Sequence, residues 1–273
     1  MRRFLVCALA LLLISILTGT ADEADFTYVS LEDGGIAITN YSGGEAHLTI
    51  PGTIDGCEVR GIASAAFVGC DRLLSVVIPE GVRSLGSGAF ADCSSLQTVD
   101  IPASLTEVGA NPFLYCVSLY DIRVDDDNPA LRAEGGVLFD ESSSRVVCYS
   151  AANRSAGYAL PEGTRIIGDA AFFGCSSLSV IELPDGLEQV GSNAFSFCAS
   201  LCGIEMPSSV ECFGAYAFSD CASLYRIEIP EGVSSIPEGM FSGCGELKEV
   251  VLPATVIAIG EGAFEESTSV RWQ

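Results

Sequence analysis

The pattern that decides the fold occurs four times: AFFGCSSLSVIELP (171–184), AFSFCASLCGIEMP (194–207), AFSDCASLYRIEIP (217–230) and MFSGCGELKEVVLP (240–253). Its phenylalanines, Phe172, Phe195, Phe218 and Phe241, are spaced 23 residues apart. A fixed period of about 20 to 50 residues is typical of a solenoid, in which each repeat stacks on the next. The sequence therefore predicts a one-dimensional array of similar coils.

The same pattern extends in both directions. It recurs at Phe67, Phe90 and Phe113, and a last match at Phe264 gives eight repeats within residues 52–273, the final one truncated. The gap between Phe113 and Phe172 is longer than one period, and its β-rich runs around a polar turn predict a hairpin inserted at about 123–160. Residues 22–51 alternate around Asp33-Gly34-Gly35, which predicts an N-terminal β-hairpin cap.

Each repeat contains two kinds of periodicity. Residues 201–206 alternate and end at Pro207, which predicts a short strand. Ala217, Phe218, Cys221 and Leu224 have the spacing of the inner face of a short helix, and Gly214 marks a tight turn before it. The predicted fold class is an α/β repeat solenoid, with one parallel β-sheet on one face and short helices on the other.

The first 21 residues have the order of a secretory signal peptide. Arg2 and Arg3 precede an apolar run over residues 4–17, and Gly19 and Ala21 provide small residues before a cleavage point. The run is short for a bilayer span, which needs about 20 residues. We therefore expect a secreted or cell-surface protein without stable membrane insertion after cleavage; an N-terminal membrane anchor is the alternative.

The chain is strongly acidic. It has 36 Asp and Glu against 13 Lys and Arg, a formal net charge of −23 at pH 7. Such a field repels nucleic acid and anionic lipid, and it favours either solubility alone or a basic partner. We expect no nucleic-acid partner.

Seven of the twelve cysteines occupy one position of the repeat, three residues after a repeat phenylalanine. Equivalent residues of stacked coils lie about 4.8 Å apart with parallel side chains, whereas a disulfide needs Cβ atoms about 3.8 Å apart that face each other. We interpret this column as free, buried thiols; disulfide bridges are the alternative.

One stripe of the predicted sheet is a candidate binding face. Because Ile181 and Leu183 are assigned to the interior, Glu182 points outward, and Glu205 and Glu228 occupy the same position in the next coils. Stacked like charges cost stability, so the stripe either keeps an open sheet soluble or meets a basic surface or a cation. The candidate residues on this row and its outward neighbour are Asp100, Arg123, Glu182, Glu205, Arg226, Glu228 and Glu249.

The repeat carries a family resemblance. The motif from Ile78 to Pro102, together with Tyr41-Ser42-Gly43, Asp127-Asn128-Pro129 and Gly136-Val137-Leu138-Phe139, resembles the BspA-like leucine-rich repeats of bacterial surface proteins. The resemblance covers residue 26 to the end of the chain. It implies a leucine-rich-repeat solenoid on a secreted or cell-surface protein, and some members act as adhesins. The family implies no catalytic residues.

Catalytic and metal chemistry have little support. His47 is the sole histidine, and triads and histidine-rich metal sites need imidazole. The run Asp125-Asp126-Asp127-Asn128 offers oxygen ligands but has no calcium-loop spacing, so we interpret it as a solvated turn. A hydrolase that uses Glu205 and Glu228 needs two acids in different environments, which a flat ladder does not provide.

We therefore expect a recognition module that is not an enzyme and has no cofactor or metal. Its predicted partner is a protein or glycan on a host or neighbouring microbial surface, bound through the strand face. A structural spacer of an envelope or secreted assembly is the alternative.

Overall fold

A computed structural model of the protein describes residues 21–265 and 268–273. All but the last residue of the predicted signal peptide therefore lies outside the described residues. Each coil contributes a strand to one face, here called the strand face, and a second strand, in most coils two residues long, to a second face. The segment that carries the repeat phenylalanine joins them and forms a third side, here called the turn edge.

The strands have the following bounds, in chain order: β1 (Phe26–Ser30), β2 (Ile36–Tyr41), β3 (His47–Thr49), β4 (Thr53–Ile54), β5 (Cys57–Ile62), β6 (Ser75–Val77), β7 (Ser84–Leu85), β8 (Thr98–Ile101), β9 (Glu107–Val108), β10 (Asp121–Val124), β11 (Leu131–Glu134), β12 (Val137–Asp140), β13 (Arg145–Tyr149), β14 (Gly157–Ala159), β15 (Ile166–Ile167), β16 (Val180–Glu182), β17 (Gln189–Val190), β18 (Gly203–Ile204), β19 (Cys212–Phe213), β20 (Arg226–Glu228), β21 (Ser235–Ile236), β22 (Glu249–Leu252), β23 (Ala258–Ile259) and β24 (Ser269–Trp272). One 3-10 turn precedes them at Glu23–Asp25.

The strand face is parallel and divided into two sheets. The first has the order β10-β8-β6-β3, and the second has the order β14-β16-β18-β20-β22-β24. The second face consists of the parallel runs β2-β5-β7-β9, β13-β15-β17-β19 and β21-β23. β1 closes the N-terminal end as an antiparallel partner of β2, and β4 pairs antiparallel with β5. Neighbouring strands of each face come from successive coils and pair in parallel, as predicted for a solenoid.

The predicted short helices are wrong: the described part of the chain contains no α-helix. On the turn edge of most coils, the residues two before and two after the phenylalanine adopt left-handed φ, as at Tyr216 (φ 58°) and Asp220 (φ 57°) around Phe218. An α-helix excludes left-handed residues at this spacing. The backbone N–H of Phe218 instead donates to the carbonyl of Met240 in the next coil, at 2.9 Å. The helical spacing of apolar residues is thus produced by successive tight turns.

The repeat aromatics form a stacked column through the interior. Phe195 and Phe218 are fully buried, with ring centroids 5.3 Å apart and planes inclined by 6°. Tyr41 packs against Phe67 with the two rings tilted and their centroids 5.2 Å apart. Tyr149 lies 23 residues before Phe172 and stacks on it at 5.0 Å. The array therefore has about ten coils rather than eight, because tyrosine replaces phenylalanine in two of them.

Apart from half-buried Cys70, the cysteine column is buried beside the aromatic column. All eleven cysteines within the described residues are free. The thiol of Cys221 donates to the carbonyl of Phe195 in the preceding coil at 3.1 Å, and Cys93 does the same to Phe67. The hydrogen bond with Cys116, together with burial, raises the pKa of Cys93 to about 12. A protonated, buried thiol is a weak nucleophile, so these sulfurs act as small core side chains.

The repeat glycine is needed for close packing between coils. A Cβ on Gly214 would lie 2.2 Å from the backbone nitrogen of Ser192, and one on Gly86 would lie 2.3 Å from that of Ser64. Neither glycine has a positive φ. The predicted tight turn is therefore not the reason for glycine; the backbone of the preceding coil occupies the space of a side chain.

The inserted segment divides the interior into two cores. β11, β12 and β13 form an antiparallel sheet, here called the septum, and β12 is buried on both sides. Leu138 and Val147 belong to the N-terminal core, whereas Phe139 and Val146 belong to the C-terminal core. The segment is thus an internal partition. It is joined to the next coil by the parallel pairing of β13 with β15.

Gly214→Ala should lower the free energy of unfolding by about 1–3 kcal/mol, the usual range when atoms are forced into a packed interior. Chemical denaturation measures the change. Gly245→Ala is the matched control, because its added Cβ meets no atom within 4 Å. Equal stability of the two variants would contradict the backbone-contact explanation.

Tyr149→Phe should raise the free energy of unfolding by about 1 kcal/mol. The Tyr149 hydroxyl is buried without a hydrogen-bond partner among the described residues, and a buried unsatisfied polar group is unfavourable. Thermal unfolding measures the gain. Tyr216→Phe is the control, since it removes a hydroxyl that donates to Glu238 at 2.6 Å and should not stabilise. A melting temperature of Tyr149→Phe at or below wild type would contradict the prediction.

Candidate functional site: the strand-face groove

A groove of about 860 Å³ lies on the C-terminal half of the strand face. β16, β18 and β20 form its floor, and β18 is shortened there to Gly203 and Ile204. Gly203 lies between Val180 and Arg226 in the parallel register, and a Cβ placed on it would contact nothing within 4 Å. The missing side chain leaves a depression at the centre of the sheet.

Carboxylates from three consecutive coils line the groove. Glu182, Glu205 and Glu228 are all exposed and occupy the same position of the repeat. The register Ile181↔Ile204 makes Glu182 the neighbour of Glu205, at the inter-strand spacing of about 4.8 Å. Half-buried Met206 lines the groove as well. The site therefore combines negative charge with an apolar contact.

The three carboxylates differ in their partners. Arg226 lies 3.3 Å from Glu228 and 2.8 Å from Glu249, and the hydrogen bond to Glu249 raises the pKa of Arg226. For Glu182 and Glu205, no basic side chain within residues 21–265 and 268–273 lies within salt-bridge distance. Glu231, which also lines the groove, has no such partner among the described residues either, so Glu182, Glu205 and Glu231 carry the unpaired negative charge of the groove.

Two predicted site residues lie on the other sheet. Asp100 and Arg123 face each other across β8 and β10, with Arg123 Nε 2.9 Å from Asp100 Oδ1. Burial raises the pKa of Asp100, Arg123 opposes this shift, and Asp121 adds to it. The predicted stripe is therefore not continuous: the septum separates this ion pair from the groove that holds Glu182, Glu205, Arg226 and Glu228, and from Glu249 on the adjacent strand β22.

One groove residue was missed from the sequence. The side-chain amide of Gln273 donates to Glu228 at 2.7 Å, across the intervening strand β22. Val251 on that strand occupies the same repeat position as Glu228, yet it is buried. The parallel pairing of β24 with β22 brings Gln273 to this position.

The remaining polar candidates have structural partners. His47 is half-buried in β3, and its Nδ1 lies 2.8 Å from Ser75 Oγ on β6. Asp125 accepts the backbone N–H of Asp127, and Asn128 donates to the carbonyls of Pro102 and Leu105 at 2.8 Å. Within the described ranges, no cluster of three or more His, Cys, Asp or Glu side chains has the geometry to hold a metal ion.

A second cavity of about 220 Å³ adjoins the septum. There Arg145 donates to Asp140 at 3.2 Å and to the carbonyl of Val108 at 2.8 Å, which joins the septum to the N-terminal half. Burial raises the pKa of Asp140, but hydrogen bonds from Ser142, Ser143 and Arg145 outweigh it, so the pKa is lowered overall. These polar groups satisfy one another, and the cavity is best explained as part of the scaffold.

Stacked coils, a parallel strand face and a repeated Ala-Phe-x-x-Cys turn define a leucine-rich-repeat solenoid. The sequence matches the family described as BspA type Leucine rich repeat region, in six copies, over residues 48–134 and 147–271. The chain belongs to this family.

Solved structures share the fold. A leucine rich cell surface protein from Faecalibacterium prausnitzii A2-165 has 22% identity and a TM-score of 0.63, with 93% of this chain and 95% of that chain covered. A leucine-rich repeat protein from Eubacterium ventriosum ATCC 27560 has 18% identity and a TM-score of 0.61, covering 89% and 87%. The pneumococcal vaccine antigen PcpA has 18% identity and a TM-score of 0.59, covering 94% and 91%. No curated protein matches the sequence.

Among the described residues, none of the secondary-structure elements is an apolar helix of the length needed to span a bilayer.

Acidification should weaken the link between the septum and the N-terminal half. Because the folded-state pKa of Asp140 is lowered, its stabilisation is complete above the unfolded pKa of about 3.9 and is lost as pH falls below it. Chemical denaturation at a series of pH values should show a shallower acid loss for Asp140→Asn than for wild type. Asp126→Asn, an equal charge change at an exposed turn, is the control. Identical pH slopes for Asp140→Asn and wild type would refute the assignment.

Proposed function

We propose that this protein is a non-catalytic recognition module, secreted or displayed at a bacterial surface, that binds a host or microbial protein or glycan through the strand-face groove. Its family supports the class, and the cell-surface description of the Faecalibacterium prausnitzii structure supports the location. The signal peptide predicted for residues 1–21 is consistent with export.

The observation that carries the proposal is a pair of free carboxylates that lie side by side in the groove. Glu182 and Glu205 are neighbours on adjacent strands, so each raises the electrostatic energy of the other. A basic partner would relieve that repulsion while its apolar parts contact Met206. The complementary ligand is therefore a basic segment of a protein, or a glycan that carries amino groups.

The same geometry argues against hydrolysis. A carboxylate pair for glycoside hydrolysis needs one acid whose pKa is raised by its surroundings and one that remains ionised. Glu205 and Glu228 are both exposed on an open sheet, and Glu228 is engaged by Arg226 and Gln273. Neither lies in the buried, apolar surroundings that keep a catalytic carboxylic acid protonated, so binding without chemical change is the function that the groove supports best.

The test is binding of the purified protein to an array of host matrix proteins, microbial surface proteins and glycans, followed by affinity measurement on the strongest hits. A Glu182→Gln/Glu205→Gln variant should weaken binding by about tenfold or more, as expected for two charge-assisted contacts. Binding should also fall as salt rises, because exposed charges are screened.

The matched control is Glu107→Gln/Glu211→Gln, which removes two exposed carboxylates from the second face and changes net charge equally. It should bind like wild type. An equal loss in both variants would show that only overall charge matters. A protein that binds nothing on the array would instead favour the structural spacer.

A further inference from the structure

Three aromatic side chains are in contact along the turn edge: Tyr115 and Phe197 are exposed, and half-buried Phe173 lies between them. The rings of Tyr115 and Phe173 lie 4.7 Å apart by centroid, and those of Phe173 and Phe197 lie 5.3 Å apart. Tyr115 is 45% exposed and Phe197 is 47% exposed, whereas the phenylalanines of the interior column are buried. These residues, here called the aromatic ridge, lie on a different side of the coil from the strand-face groove.

The backbone shows that packing does not require these aromatics. Tyr115 and Phe197 both have a φ of 61°, a left-handed conformation that is unfavourable for a bulky residue. The equivalent position is Gly69, Gly174 or Gly243 in three coils, and Asp92 or Asp220 in two others. Since glycine and aspartate serve the fold, the two aromatic residues add exposed apolar surface at a conformational cost. Exposed aromatic clusters of this kind mark interaction surfaces.

The negative charge around the aromatic ridge limits which kinds of partner can bind it. Asp92 occupies the position of Tyr115 in the preceding coil, and Asp220 occupies that of Phe197 in the following coil, so carboxylates flank both ends at about one strand spacing. A second copy of the chain, with its net charge of −23, would bring acidic flanks together. Nucleic acid is repelled for the same reason. A cationic partner fits both the charge and the rings, because cations bind aromatic faces.

The described part of the chain contains an example of an aromatic ring covered by a cationic side chain. The guanidinium carbon of Arg132 lies 4.5 Å from the centroid of the Phe139 ring. The same side chain pairs with Glu134 at 2.7 Å and with Glu141 at 2.8 Å. An aromatic ring flanked by carboxylates is thus covered here by arginine, whose planar group stacks on rings and pairs with carboxylates at once.

We propose that the aromatic ridge is a docking surface for an arginine-containing, extended segment of a basic protein partner, separate from the groove. Arginine side chains stack on Tyr115 and Phe197, and Asp92 and Asp220 pair with the same segment at the two ends. The aliphatic stems contact Phe173 between them.

The test measures binding of a short synthetic peptide of alternating arginine and glycine by calorimetry, at about 150 mM salt. All measurements use the Glu182→Gln/Glu205→Gln background, so that groove binding does not contribute. Peptides in which lysine or serine replaces arginine are compared. The arginine peptide should bind most tightly, the lysine peptide less tightly, and the serine peptide not at all.

Tyr115→Gly/Phe197→Gly should then weaken binding of the arginine peptide by about tenfold or more. This variant restores the residue that other coils use at a left-handed position, so it should melt at or above the temperature of its parent. Folding failure is therefore not an alternative explanation. Asp92→Asn/Asp220→Asn should weaken binding while leaving the rings in place.

Three results would overturn the proposal. They are undiminished binding by the glycine variant, equal binding of the serine and arginine peptides, and no binding of the arginine peptide to the ridge-intact background. Self-association that the glycine variant abolishes would assign the ridge to a second copy instead. None of these results affects the groove, whose own test depends on Glu182 and Glu205.

Discussion

The hydrogen bond from one turn edge to the next is the interaction on which the structure depends. In each regular coil, the N–H of the repeat phenylalanine donates to a carbonyl 22 residues further along, as from Phe172 to Ala194 and from Phe195 to Ala217, both at 2.8 Å. A helix would satisfy the same groups within its own coil. Because these bonds run between coils, the turn edge joins neighbours as firmly as the parallel strands do, and stability is shared along the array.

That constraint also fixes which residues are allowed at each position. The coils approach so closely beside Gly214 that a side chain there would overlap the backbone of Ser192. The left-handed positions on either side of the phenylalanine favour glycine, asparagine and aspartate. Phenylalanine and cysteine fill the interior that remains, one column of rings and one of thiols. The residues of the repeat motif are thus determined by contacts between coils rather than by secondary structure.

The sequence was sufficient for the solenoid and its period, because a repeated phenylalanine reports directly on a stacked interior. It was misleading about helices, since an i, i+1, i+4, i+7 pattern of apolar residues also arises from consecutive turns, and left-handed φ at Asp220 or Tyr216 leaves no hydrophobic signature. It undercounted the coils, because Tyr41 and Tyr149 do not match a search for phenylalanine. The period of 23 residues was enough to predict which residues share a row on the strand face. Which carboxylates are free depended on side-chain reach, such as that of Gln273 to Glu228, which periodicity does not encode.

The septum explains why the candidate surfaces lie where they do. It interrupts the strand face between β10 and β14. Asp100 is therefore paired with Arg123 on one sheet, whereas Glu182 and Glu205 lie on the other sheet without a salt-bridge partner among the described residues. On the turn edge the septum has the opposite effect. Tyr115 precedes the septum in the sequence and Phe173 follows it, yet their rings are in contact, with centroids 4.7 Å apart. An interruption that splits a charged row on one side and joins an aromatic row on another gives two neighbouring surfaces different chemistry. A solenoid of strictly identical coils would instead present the same residues along its whole length, with no local site to distinguish one partner from another.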